Sequence, residues 1–214
     1  MSARPALLLL AGLCASAAAA QAPPPGGPPR DRCEPVAGLY VAPMGQPFRR
    51  SGGGDPMLAW FAAADRDRDG RLVLAEFLAD ADAFFTTLDR DRDGEIDPQE
   101  EVAYETDVAP EIRLYQRGAP IDRRRTKDKR RYDEQTLGAG RFAQLNIPQP
   151  VASADADLNR GVSRAEFARA AATRFALLAG PAGALTAAAM TPTPAQAEAA
   201  ACAAKLARQA QARR

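Results

Sequence analysis

Two acidic segments only 24 positions apart, one starting at Asp65 and one at Asp89, constrain everything around them. In the first, Asp65, Asp67 and Asp69 alternate, Gly70 follows, and Glu76 stands at the twelfth place. In the second, Asp89, Asp91 and Asp93 alternate, Gly94 follows, and Glu100 closes the segment. A hard divalent cation takes six to eight oxygens, and this spacing supplies them from a tight turn. The side chains at places 1, 3 and 5 converge, the backbone carbonyl at place 7 (Arg71, Glu95) adds a ligand, and the late Glu adds two oxygens. Asp97 offers a further carboxylate at place 9 of the second segment, where the first has Val73. A glycine at place 6 suits a backbone that must turn with positive φ.

Both segments match the loop motif of the EF-hand family, and the chain resembles bacterial exported calcium-binding proteins of that calmodulin-like superfamily. The resemblance implies Ca²⁺ as the bound ion and a helix on each side of every loop. It also implies a short strand at place 8, here Leu72 and Ile96. A third segment fits: Asp155, Asp157, Asn159, the carbonyl of Gly161, Ser163 through a water, and Glu166. It departs at place 6, where Arg160 replaces Gly; a left-handed arginine costs about 1 kcal/mol and weakens the site. The repeat continues past it: Phe167 matches Phe77, Phe175 matches Phe85 and Leu178 matches Leu88. A fourth loop is therefore expected from about Ala179, with Leu185 as its strand residue and no carboxylate ligand.

Only residues 77–88 separate the first two loops, and neither Gly nor Pro interrupts them. One helix from about Leu74 to Leu88 must then serve both hands, about 22 Å long. Loops at opposite ends of a straight helix cannot be strand partners. The expected pairs are therefore Ile96 beside Val162 and Leu72 beside Leu185. The expected fold is all-α: four EF-hands in two halves, the fourth degenerate, with adjacent hands sharing one helix. Ligand charge orders the expected affinities as loop 2, then loop 1, then loop 3, with none at loop 4.

The remaining chain divides as follows. Residues 1–20 read as a cleaved signal peptide, with Arg4, an apolar run and a small-residue cleavage site, so the protein is expected to be periplasmic or secreted. Residues 21–54 form a Pro/Gly-rich segment; residues 55–116 carry hands 1 and 2, opening with Asp55 as helix cap, Pro56 in the first turn, and Trp60 and Phe61 in the core. Residues 117–150 are a linker that starts with eight basic side chains within 117–131. That run is expected to stay solvated or to meet an acidic protein or anionic lipid; with no aromatic pattern beside it, nucleic acid is not expected. Residues 151–192 carry hand 3 and the degenerate hand 4, and 193–214 an Ala-rich tail. After cleavage Cys33 and Cys202 remain, and an exported protein permits a disulfide between them. The sequence has no His, which removes imidazole bases and ligands. The clustered carboxylates already serve as ligands, so the expectation is a monomeric sensor or buffer, with a Ca²⁺-stabilised structural or adaptor module binding through residues 117–131 as the alternative, and not an enzyme.

Overall fold

The computed structural model describes residues 38–50, 52–113 and 137–212. The signal segment, Cys33 and the basic run 117–131 lie outside the described residues.

Helix α1 (Pro56–Ala64) starts where its sequence allows. The Asp55 carboxylate accepts from the Met57 N–H at 2.9 Å, and Pro56 occupies the first turn, where a missing N–H costs nothing. Its buried residues Met57, Trp60, Phe61 and Ala64 repeat at helical spacing. Asp55→Ala is expected to lower stability by about 1 kcal/mol in a urea titration. It removes the cap and also the acceptor for Gln196 Nε2 at 3.1 Å.

Strand β3 (Leu72–Val73) leads into α2 (Leu74–Leu88), one continuous helix of 15 residues. It buries Phe77, Ala81, Phe84, Phe85 and Leu88. Strand β4 (Glu95–Ile96) leads into α3 (Pro98–Ala103). The chain after α3 widens into a π-helical turn, Tyr104–Val108. This turn ends before Pro110, which cannot continue the ladder and begins a 3-10 turn, Pro110–Ile112. Strand β5 (Val162–Ser163), helix α4 (Arg164–Ala179) and strand β6 (Ala184–Leu185) repeat the order of β3, α2 and β4.

Helix α4 lies antiparallel to α2. Phe77 meets Phe175 and Phe85 meets Phe167, each with ring centroids 5.5 Å apart. This packing brings the N-terminal end of one helix to the C-terminal end of the other. Loop 2, after α2, therefore reaches loop 3, before α4, and the two ends of the pair each close with one ladder. Leu72 pairs with Leu185 and Ile96 with Val162, both antiparallel, as the length of the shared helix required.

The fourth loop starts within one residue of its expected place but is shorter than its counterpart. Helix α4 runs through Ala179, and Gly180 caps it with φ +54°. From that cap to the strand residue Leu185 the chain is two residues shorter than from Asp89 to Ile96. A 3-10 turn, Gly180–Ala182, and the left-handed Gly183 make the bend.

The all-α expectation is too simple. The described residues are helix-rich, but they also hold six short strands in three antiparallel pairs. The third pair, β1 (Leu39–Val41) with β2 (Pro47–Arg49), was not legible in the Pro/Gly-rich segment. Its turn needs Gly45 at φ +105°, where a Cβ would sit 2.7 Å from the Tyr104 hydroxyl. Tyr40 and Val41 are fully buried, and the Tyr40 ring lies 5.6 Å from that of Trp60. The tail forms α5 (Pro194–Ala212), tied by Arg141 to Glu198 at 2.7 Å. Cys202 on α5 is disulfide-bonded. Among the described residues no helix is long and apolar enough to cross a membrane.

Candidate metal centres

Each loop is wound by the same short bonds from backbone N–H to side chain. The carboxylate at place 1 accepts from the N–H at place 6: Asp65 from Gly70 at 3.0 Å, Asp89 from Gly94 at 3.1 Å, Asp155 from Arg160 at 3.0 Å. Place 3 accepts from place 5, and place 5 from place 7: Asp69 from Arg71, Asp93 from Glu95, Asn159 from Gly161. The acidic and amide side chains thus nucleate their own turn by competing for backbone donors. The glutamate at place 12 reaches back across the loop. Glu76 accepts from Arg66 at 2.8 Å and Val73 at 3.1 Å; Glu100 accepts from Arg90 and Asp97; Glu166 accepts from Ala156 and Ser163.

The result is three groups in which places 1, 3 and 12 offer one carboxylate oxygen each, all within 4.8 Å of one another. They are Asp65, Asp67 and Glu76; Asp89, Asp91 and Glu100; Asp155, Asp157 and Glu166. Carboxylates this close repel one another unless a cation joins them. A sharper observation separates the loops. Asp65 Oδ1 and Asp89 Oδ1 are buried and accept no hydrogen bond. An orphaned buried carboxylate oxygen is costly, and a divalent ion on that oxygen would remove the cost. In loop 3 the matching Asp155 Oδ1 already accepts from the Leu158 N–H at 2.7 Å. An ion there must compete with an internal donor, so loops 1 and 2 fit the ion better than loop 3.

The place-9 residues have a second duty. Asp97 Oδ1 accepts from both Gln99 and Glu100 N–H at 2.8 Å and caps α3. Ser163 caps α4, and its hydroxyl also donates to Glu166 at 2.7 Å. That bond, then the N–H groups of Ser163, Ala156 and Asp157, hold the Glu166 carboxyl down to about 2. On the outer side, Arg90 meets Asp107 at 3.3 Å and Arg66 donates to the Ala79 carbonyl at 3.1 Å.

Backbone strain falls where the motif departs from glycine, and also at a place the motif does not mark. Arg160 takes φ +78°, as expected of place 6. Place 4 is left-handed as well: Arg68, Arg92 and Leu158 have φ between +62° and +65°. Leu158 is 81% exposed in that strained position. Arg160→Gly is expected to raise ion-free stability by about 1 kcal/mol, read from the urea midpoint. An unchanged or lower midpoint would show that the Arg160 side chain contributes more than its backbone strain costs.

One contact was missed by reading loops singly. The Glu95 side chain crosses the ladder and lies over the α-carbon of Gly161, in space a Cβ would occupy. The signal was there: place 7 is Arg71 and Glu95 in the first two loops but Gly161 in the third. A further carboxylate borders loop 3. Burial, with Glu105, Asp155 and Asp97 nearby, raises Glu101 above its ordinary value.

A family model described as EF hand matches residues 59–79 and 81–100. No curated protein and no solved structure matches the chain. The two matches support an EF-hand calcium-binding protein, and the acidic groups could hold the ion. Loop 3 lies outside the matched residues.

Proposed function

We propose that this chain is an exported Ca²⁺-binding protein with three ion loops in a four-hand frame, acting as a buffer or ion-stabilised scaffold. The observation that carries the reading is the pair of buried, unpartnered oxygens, Asp65 Oδ1 and Asp89 Oδ1. They lie in the two loops that keep glycine at place 6 and match the family model. The residues that would hold the ion are Asp65, Asp67, Asp69, Arg71 and Glu76; Asp89, Asp91, Asp93, Glu95, Asp97 and Glu100; and, more weakly, Asp155, Asp157, Asn159, Gly161, Ser163 and Glu166. Export rests on the pattern of residues 1–20, and the disulfide at Cys202 agrees with an oxidising compartment.

Buffering is favoured over signalling because the interior is already filled. A sensor of this family opens an apolar groove when it binds its ion. Here the hairpin fills the core with Tyr40, Val41 and Met44, and Trp60 and Phe77 pack against one another at 6.2 Å. Calorimetry tests the reading. Two tight Ca²⁺ sites and a weaker third are expected, with Mg²⁺ competing poorly because a bidentate glutamate suits the larger ion. Asp65→Asn and Asp89→Asn are each expected to remove one tight site. Heat of binding unchanged in both variants would reject the assignment.

A further inference from the structure

Loop 3 has no helix leading into it. Loop 1 follows a nine-residue helix and loop 2 follows a fifteen-residue one, but loop 3 follows only the 3-10 turn Ala152–Ala154. A single turn does not hold its own direction in water. An open cavity of about 370 Å³, bounded in part by Ile147, Ala154, Ala170 and Leu177, lies beside it. Val151 and Ala154 are buried at the turn, and the cavity leaves that apolar contact with α4 incomplete.

Arg174 adds a polar tie to that packing. Its NH2 donates to the Pro150 carbonyl at 2.8 Å and to Ser153 Oγ at 2.9 Å, both at the turn. Its NH1 donates to the Pro43 carbonyl at 2.9 Å and to Met44 Sδ at 3.3 Å, in the hairpin loop. The side chain is as buried as Phe84, 4% exposed each, and Phe84 is the residue that stands at the same place of the first repeat. Among the described residues no carboxylate pairs with it. Burial pulls its pKa down to about 10, so it stays charged at neutral pH. A buried charge held only by carbonyl, hydroxyl and thioether acceptors is an expensive way to fill a core. The planar fork does one thing a phenylalanine cannot: it bridges two chain segments at once. Tyr104, at the end of α3, grips the same hairpin loop through a bond to the Gly45 carbonyl at 2.8 Å.

We propose that Arg174 is a positioning residue for the third ion loop, substituting for the missing helix by tying the turn before Asp155 to α4 and to the N-terminal hairpin. This rests on the reading that loop 3 binds Ca²⁺. Ion binding at loop 3 is then linked to docking of the hairpin.

Calorimetric Ca²⁺ titration of the full chain, with Arg174→Met, Arg174→Lys and Ser153→Ala beside the parent, tests it. Arg174→Met is expected to weaken the third site tenfold or more while the two tight sites change less than twofold. Arg174→Lys, which cannot bridge both segments, restores little, and Ser153→Ala, which removes one of the four bonds, gives a smaller loss at the same site. Three sites of unchanged affinity in Arg174→Met overturn the positioning role alone, and so does an equal weakening of all three. A parent that binds only two ions overturns the reading of loop 3 itself. Should Arg174→Met not fold, Arg174→Lys and Ser153→Ala decide by the same site-selective criterion.

Discussion

Saturating Ca²⁺ is expected to raise the thermal midpoint of this protein by about 10–20 °C. A ligand present at 100 times its dissociation constant stabilises the form that binds it by about 2.7 kcal/mol per site. Two tight sites then contribute about 5 kcal/mol, and in a chain of this length each kcal/mol moves the midpoint by about 2–4 °C. Chelation should return the midpoint to its starting value. The diagnostic part is a change of sign between conditions. Asp65→Asn keeps the oxygen that accepts from Gly70 but removes a charge from the group with Asp67 and Glu76. The same holds for Asp89→Asn with Asp91 and Glu100. Each variant is expected to melt lower than the parent in Ca²⁺, yet no lower than the parent in chelator. A carboxylate that merely wound its turn would cost stability in both. No shift of the parent midpoint with millimolar Ca²⁺ would sink the calcium reading.

Phe85→Ala should cost about 3–5 kcal/mol in the ion-free protein. The ring is fully buried, lies 5.5 Å from Phe167, and carries the Arg164 guanidinium 4.7 Å from its centroid. The loss combines transfer of the ring with the cavity left between α2 and α4, which two packed helices cannot collapse. It moves the midpoint down by about 6–20 °C on the same scale. Phe85→Leu should recover most of the difference. A loss below about 1 kcal/mol would mean that the antiparallel packing of α2 on α4 is not what joins the two halves. That packing carries function as well as stability, because it decides which loops share a ladder.

Local rules made much of this legible. Alternating aspartates, a glycine and a late glutamate can be read without a fold, since the loop makes its own hydrogen bonds. Asp55 and Pro56 announced the start of α1, and an uninterrupted 12-residue spacer announced a shared helix. The strand pairs followed from geometry, because loops at opposite ends of a rod need partners elsewhere. Other features were hidden. The hairpin at 39–49 has strands of only three residues with Pro43 and Pro47 interrupting them, and it is held because Trp60 and Tyr104 receive it. The π-helical turn and the short fourth loop depend on neighbours far away in sequence.

The chain by itself determined the ligands, their order of charge and the length of the rod between them, because these depend on spacing along a few consecutive residues. Only the tertiary structure decided that Glu95 covers Gly161, and that the arginine standing where the repeat has Phe84 is buried and tied to the hairpin. Those depend on which distant groups meet inside a low-dielectric interior, where an acceptor 130 residues away governs a donor as firmly as a neighbour does.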